Sequence, residues 1–229
     1  MASIEGKLQQ VRERIALACA AAQRPVQSVT LLAVSKTFAA AAVRAAHATG
    51  QRAFGENYVH EALGKIEALA DLRPSIEWHL IGPLQSNKTR EVATRFDWVH
   101  SIDRLKVAER LSAQRPAGLP PMQVCLQVNV SGEASKSGVA PAELPVLARA
   151  VSALPNLRLR GLMSIPEPVA DPAAQRAPHR QLRQLFEALR RDGLALDTLS
   201  MGMSADLEAA IAEGASIVRV GTAIFGERA

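Results

Sequence analysis

The chain has 229 residues, of which 48% are hydrophobic and 21% are charged, and its formal net charge is +5 at pH 7. This length and apolar content predict one domain over residues 1–229 with a sizeable core. No apolar run approaches the roughly 20 residues of a membrane-spanning helix, and the N-terminus resembles neither a signal peptide nor a transit peptide. Aromatic residues make up only 3% of the chain and the arginines are scattered, so the basic charge predicts a solvated surface and not a nucleic-acid site. We therefore expect a cytoplasmic protein with no nucleic-acid or membrane partner.

A helix is predicted first, because Ile4, Leu8, Val11 and Ile15 share one face. Eight short apolar or β-branched runs then alternate with helical patterns. The predicted strands are 29–36, 53–57, 77–82, 98–103, 122–130, 157–165, 196–202 and 217–225. The proline-containing stretches 114–121 and 166–180 predict loops within this repeat.

The clearest helical segment lies late in the chain, in "QLRQLFEALRRDG". Its apolar stripe consists of Leu182, Leu185, Phe186 and Leu189, and Gly193 is placed to end the helix. Alternating strands and helices predict parallel pairing, and about eight units favour a closed (β/α)8 barrel with an extra N-terminal helix. An open doubly wound sheet is the alternative, but no Gly-x-Gly-x-x-Gly follows the first strand.

A phosphate site is predicted where the last two strands end. Gly202, Met203 and Ser204 precede a helix, and Gly221 with Thr222 offers a second glycine beside a hydroxyl. The loops after strands seven and eight form the usual phosphate cradle of such barrels. Taken alone, Ser204 is read more simply as a helix N-cap. The pairing of the two segments favours the anion site.

Lys36 ends the apolar run "LLAVSK" and is the candidate nucleophile. In a barrel it would lie at the rim opposite the phosphate cradle, where partial desolvation lowers the pKa of an amine. Such an amine can form a Schiff base with a phosphorylated aldehyde, and pyridoxal phosphate carries both groups. The alternative is an ordinary solvated lysine at a strand end.

Arg219 interrupts the apolar strand "IVRVG", on the same strand face as Gly221. Its guanidinium can donate to the pyridine nitrogen of the cofactor, or it can pair with an acidic residue elsewhere in the barrel. The spacing alone does not choose between them. His79 and His100 are predicted to be hydrogen-bonded core histidines, and no residue spacing matches a zinc site, a hydrolase elbow or a Walker A loop.

Two cysteines, Cys19 and Cys125, lie far apart inside apolar segments. This placement predicts small buried hydrophobes and neither a disulfide nor a metal site.

Several motifs together resemble the pyridoxal-phosphate homeostasis proteins, relatives of the N-terminal barrel of alanine racemase. They are "LLAVSKT", "FGENYVHEA", "WHLIGPLQSNK", "VNVSGEASKSG", "LSMGMSADLEAAI" and "VRVGTAIFG", and they run through nearly the whole chain in order. The resemblance implies a monomeric barrel with pyridoxal 5'-phosphate on Lys36 and with the cofactor phosphate held around Ser204, Gly221 and Thr222. It also implies that Arg219 contacts the pyridine nitrogen and that Asn57 lines the cofactor.

The function implied by the resemblance is to bind, buffer and deliver the cofactor to apo-enzymes, without catalytic turnover. The chain ends soon after the eighth strand, so we expect no second, β-rich racemase domain. A pyridoxal-phosphate-dependent amino-acid racemase is the alternative, and a lysine Schiff-base aldolase without cofactor is a more distant one.

Overall fold

The computed structural model describes residues 3–131, 137–167, 169 and 171–226. Eight parallel strands pair in chain order, and the eighth pairs with the first to close a barrel. The strands are β1 (Thr30–Val34), β2 (Ala53–Glu56), β3 (Glu77–Leu80), β4 (Trp98–Ile102), β5 (Met122–Gln127), β6 (Leu157–Met163), β7 (Thr198–Ser200) and β8 (Ile217–Val220). Closure confirms the predicted (β/α)8 barrel over the open sheet.

Helices surround the barrel. Those in the described residues are α1 (Ile4–Ala21), α2 (Ala40–Ala48), α3 (Val59–Ala68), α4 (Thr89–Arg95), α5 (Leu105–Gln114), α6 (Leu144–Ser152), α7 (Pro172–Arg191), α8 (Leu207–Ala212) and α9 (Thr222–Phe225). Short 3-10 turns lie at Val26–Ser28, Ala70–Ser75 and Ser86–Lys88. No helix in these ranges is long and apolar enough to cross a membrane.

The extra N-terminal helix is confirmed as α1. The Ser3 side chain accepts a hydrogen bond from the Gly6 N–H at 3.1 Å and caps the first turn. Leu8, Val11 and Ile15 are then buried on one face, as their spacing predicts. The helix packs on α8 and α9, next to the strands that carry the predicted phosphate site.

Two predicted boundaries are wrong. The eighth strand ends at Val220, and residues 222–225 form α9, because Ile224 is buried in a helical turn that an apolar run cannot distinguish from a strand. The predicted loop 166–180 is helical from Pro172 onward and contains Pro178 within α7. Pro172 stands at the first helical position, where proline is tolerated, whereas Pro178 lies within the helix and removes one intrahelical hydrogen bond. The buried Leu182 and Phe186 pack the helix on the barrel.

The remaining strand predictions identify the right segments but overrun most C-terminal ends, so that Lys36 lies in the turn after β1. The helix stripe over 182–189 is confirmed, and Gly193, with φ of 91°, follows the end of α7. The proline-rich stretch 115–121 connects α5 to β5, as predicted.

The apolar core has two parts. The larger part lies between the strands and the helices, and the smaller fills the inside of the barrel. The inner cluster consists of Leu32, Val34, Ala53, Ile81, Trp98, Cys125, Met163 and Ile217. Cys19 and Cys125 are both buried, as predicted, and burial raises the pKa of Cys125 to about 12.

Candidate functional site

A cavity of about 360 Å³ opens at the carboxyl ends of the strands. Seven of the eight predicted site residues line it: Lys36, Asn57, Met203, Ser204, Arg219, Gly221 and Thr222. Gly202 precedes the lining residue Met203 in the chain. Glycine is required there because its φ is 91° and a Cβ would lie 2.5 Å from the Ala210 Cβ. Apolar walls come from Val34, Phe38, Ile81 and Ile165. The cavity therefore combines an amine, a guanidinium, hydroxyls and apolar surface.

The backbone on both sides of Lys36 is fixed. Ser35 is fully buried, and its N–H donates to the Gly55 carbonyl at 3.0 Å. Thr37 has a φ of 68°, which a β-branched residue rarely adopts, and its N–H donates to Glu61 Oε1 at 2.6 Å. Lys36 is itself only partly buried and reaches the cavity, so its amine stands on a rigid turn at the rim.

A buried ion pair lies directly beneath this turn. Lys65 Nζ lies 2.8 and 3.0 Å from the two carboxylate oxygens of Glu56 and donates to the Ser35 carbonyl at 2.6 Å. The Ser35 hydroxyl donates to Glu56 Oε1 at 2.6 Å, and Glu61 Oε1 lies 2.5 Å from the same ammonium. Burial raises the pKa of Glu56, and Lys65 and Ser35 oppose that rise. This cluster ties β2 and α3 to the turn that carries Lys36.

The loop after β7 is held by a carboxylate. Asp206 Oδ1 accepts from the Met203 N–H at 2.6 Å, and its other oxygen lies 2.9 Å from His179 Nε2. Burial by itself raises the pKa of Asp206, but the hydrogen bonds from His179 and Met203 outweigh it and the net pKa falls below the usual value. Asp206, and not Ser204, occupies the N-cap position of α8, so the simple cap reading of Ser204 is wrong.

The second glycine segment faces β1. Gly221 directly follows β8, and a Cβ on it would lie 3.1 Å from the Val34 carbonyl oxygen. Thr222 begins α9 and lines the cavity, while Phe225 of the same helix packs on Phe38 with ring centroids 5.2 Å apart. The two predicted halves of the phosphate site therefore line the same cavity.

Arg219 is 4% exposed and reaches the cavity from inside the barrel. Its Nη1 donates to the Ser200 carbonyl at 2.6 Å and to the Ser200 hydroxyl at 2.9 Å, and its Nη2 donates to the Ser164 carbonyl at 2.7 Å. Burial lowers the pKa of Arg219 to about 10, which leaves it charged at neutral pH. No carboxylate of the described residues lies within ion-pair distance of it, and the Asp206 carboxylate opposes the fall of its pKa from farther away.

His79 and His100 are buried in the barrel, and His79 Nδ1 lies 2.9 Å from His100 Nε2. His100 Nδ1 lies 2.8 Å from the Ser200 hydroxyl, which confirms both as hydrogen-bonded core histidines. Burial and the nearby His79 and Arg219 hold the pKa of His100 well below its usual value.

Asn57 follows β2 at the rim and is packed against Gly82, where a Cβ would overlap the Asn57 carbonyl. Sequence reasoning found this residue through the resemblance but missed those that support the site: Glu56, Lys65, Asp206, His179 and Ser200. The charge at the end of the otherwise apolar run "AFGE" is the one signal that could have found Glu56.

Comparison with known proteins places the chain in a family. The family described as "Alanine racemase, N-terminal domain" matches residues 7–229. The pyridoxal phosphate homeostasis protein of Pseudomonas aeruginosa is 64% identical over 228 residues, which cover 100% of this chain and 97% of that protein. This chain belongs to the pyridoxal phosphate homeostasis protein family. The family member of Escherichia coli strain K12 is 53% identical, with 100% of this chain and 98% of that protein covered.

A solved structure agrees with this membership. PipY of Synechococcus elongatus, described with pyridoxal phosphate bound, superposes with a TM-score of 0.86 at 41% identity. The match covers 98% of this chain and 100% of that chain. Recognition of the homeostasis family from its motifs is therefore confirmed.

Proposed function

We propose that this protein binds pyridoxal 5'-phosphate in the rim cavity and keeps the cofactor available in the cell as a homeostasis protein. The observation that carries the proposal is the meeting of Lys36, Arg219 and the two glycine–hydroxyl segments around one cavity. The cofactor is named in the close relatives and is bound in PipY. The protein is a cofactor-binding member of the family and not an enzyme.

The residues present fit this group. The aldehyde of the cofactor requires an amine, its phosphate requires N–H and hydroxyl donors, and its ring requires apolar walls. The cavity offers all of these at the ends of the strands. In addition, the Ser164 hydroxyl beside Arg219 is buried and finds no hydrogen-bond partner in the described part of the chain, so this wall retains unused polar capacity.

We assign each residue a role on this basis. Lys36 attaches the cofactor through its Nζ, on the turn that Glu56 and Lys65 hold. Ser204 and Thr222 donate their hydroxyls to the phosphate, while the backbone of 202–203 and of Gly221 lets it approach closely. Asn57 lines the cofactor.

Arg219 explains why binding need not lead to turnover. Pyridoxal phosphate supplies a reactive aldehyde and an electron-withdrawing ring, which withdraws most strongly when its nitrogen is protonated. A guanidinium can donate a hydrogen bond but cannot accept one, so Arg219 keeps that nitrogen unprotonated. The pocket therefore favours retention of the cofactor over reaction of bound amino acids.

We further propose that the chain forms one structural unit, acts as a monomer in the cytoplasm and passes the cofactor to pyridoxal-phosphate-dependent apo-enzymes, without nucleic-acid or membrane partners. The barrel is closed by strands spread over residues 30–220, which supports a single structural unit. Light scattering of the purified protein tests the monomer, and transfer of cofactor to a colourless apo-enzyme tests delivery.

Borohydride reduction of the loaded protein followed by peptide mapping tests the central assignment. The expected label is on Lys36, and a label on Lys88 or Lys136 instead would contradict it. Steady-state assays with a broad panel of amino acids test the absence of turnover. Robust racemase activity on any of these amino acids would favour the alternative function, a pyridoxal-phosphate-dependent amino-acid racemase.

A further inference from the structure

A line of buried polar side chains runs from the cofactor cavity across the inside of the barrel. It begins at Arg219, passes through the Ser200 hydroxyl at 2.9 Å, reaches His100 Nδ1 at 2.8 Å and continues from His100 Nε2 to His79 Nδ1 at 2.9 Å. The exposed fractions of these four residues lie between 0% and 4%. Beyond His79, the Glu77 carboxylate lies 3.8 Å from His79 Nε2 at the first residue of β3. The line thus joins the two ends of the barrel.

The chemistry of Arg219 gives this line one direction. A guanidinium only donates, so the Ser200 oxygen accepts from it, and the Ser200 proton is left free to point to His100. His100 Nδ1 is then an acceptor, and a neutral His100 carries its proton on Nε2, from which it donates to His79 Nδ1. His79 in turn carries its proton on Nε2, facing Glu77. The reverse arrangement, in which His79 Nδ1 donates to His100 and His100 Nδ1 donates to Ser200, would turn the lone pair of a neutral His79 Nε2 toward the Glu77 carboxylate and leave the Ser200 proton without an acceptor among the contacts described.

The neutral state of His100 has a physical basis. It is fully buried, it faces the second imidazole of His79, and it lies near the charged Arg219. Each of these disfavours a further positive charge, and the pKa of His100 is well below its usual value.

We propose that Ser200, His100 and His79 are positioning residues that hold the Arg219 guanidinium at the cofactor cavity through hydrogen bonds of one fixed direction, with His79 Nε2 facing the Glu77 carboxylate at 3.8 Å. This inference rests on the proposed function for its consequence, which is cofactor retention. Three of the five N–H groups of Arg219 are bonded to Ser200 and Ser164. The other two have no partner among the contacts described, and Arg219 itself lines the cavity.

The direct test is the tautomeric state of the two histidines in the cofactor-free protein. Long-range proton–nitrogen NMR of protein labelled with ¹⁵N in its imidazoles distinguishes a protonated Nε2 from a protonated Nδ1. We expect neutral His100 to carry its proton on Nε2, and His79 to carry a proton on Nε2 and none on Nδ1. A proton on Nδ1 of either residue would overturn the proposed direction.

The consequence is tested with Ser200→Ala. This variant removes the link between Arg219 and His100, so we expect the His100 signal to lose its single tautomer and cofactor dissociation to accelerate by about tenfold. Ser112→Ala is the matched control, because Ser112 is also a buried serine and contacts Asn156 far from the cavity. Ser112→Ala should change neither the His100 NMR signal nor the rate of cofactor dissociation.

Unchanged tautomers and unchanged dissociation in Ser200→Ala would refute the positioning role. If Ser200→Ala does not fold, the tautomers of the unmodified protein still decide the direction of the line. Failure of the unmodified protein to bind cofactor would overturn the proposed function separately, because the NMR measurement needs no cofactor.

Discussion

Replacing Lys65 by methionine should be among the most destabilising single changes in this protein. The side chains of Lys65 and Glu56 are 6% and 0% exposed, and the ammonium makes two contacts with the Glu56 carboxylate. Methionine keeps the length and apolar stem of lysine but removes the charge. Glu56 would then remain buried with the Ser35 hydroxyl as its one partner among the contacts described.

The size of the effect follows from the unpaired charge. Breaking a buried ion pair by removing one partner costs about 3–5 kcal/mol, because the remaining charge has lost both water and its counter-ion. For a chain of this length each kcal/mol shifts the Tm by about 2–4 °C, so we expect a drop of roughly 6–20 °C. The double variant Glu56→Gln/Lys65→Met should cost less than the sum of the two single variants, since neither charge is then left alone.

The pKa of Glu56 also determines how the stability penalty of Lys65→Met depends on pH. Burial raises the pKa of the Glu56 carboxyl, and loss of Lys65 raises it further. An acid with a raised folded-state pKa binds its proton more readily in the folded protein, so stability increases as the pH falls through that raised value. The penalty of Lys65→Met should therefore be largest at neutral pH and shrink on acidification toward the usual glutamate pKa of about 4.3.

Urea unfolding at several pH values measures both quantities. The control is Arg44→Met, which breaks an ion pair with Asp71 whose two side chains are 48% and 58% exposed, and which should not change stability measurably. A penalty for Lys65→Met below about 1 kcal/mol at neutral pH, or one that grows on acidification, would refute the reasoning.

Three further predictions concern the rim. Ser204→Ala and Thr222→Val should each weaken cofactor retention about tenfold or more, since a hydrogen bond to a charged phosphate contributes roughly 1.5–3 kcal/mol; unchanged affinity of both by titration would place the phosphate elsewhere. Asp206→Asn should make the free energy of unfolding fall less steeply as the pH is lowered. The lowered pKa of Asp206 stabilises the folded protein above about pH 3.9, and that contribution is lost as the pH falls through the folded-state pKa. Gly82→Ala should destabilise the barrel in thermal unfolding, because the new Cβ overlaps the Asn57 backbone; an unchanged Tm would show that the rim adjusts freely.

The interior polar line and the ion pair under Lys36 have a common consequence. The ion pair holds the turn that carries Lys36, and Ser200 holds Arg219 from the side of the two histidines. None of these supporting residues is among those that line the cavity. A pocket prepared in this way loses little conformational freedom when its ligand binds, which favours tight retention.

The sequence by itself determined the barrel, because eight apolar runs separated by helical patterns leave few ways to bury every strand. It also identified Lys36, Arg219 and the segments around Ser204 and Thr222 as groups at strand ends, and a closed parallel barrel brings all such ends to one rim. These features depend on local periodicity and on strand direction, and both can be read from the order of the residues.

Only the tertiary structure decided what supports these groups. Lys65 reads in the sequence as an ordinary helix lysine, and it is buried against Glu56 because α3 packs over β2 at one particular rotation. Ser200 meets His100 across 100 residues because barrel closure brings β7 and β4 to face each other inside. Contacts of this kind depend on the register and tilt of whole strands, and no local pattern of residues encodes them.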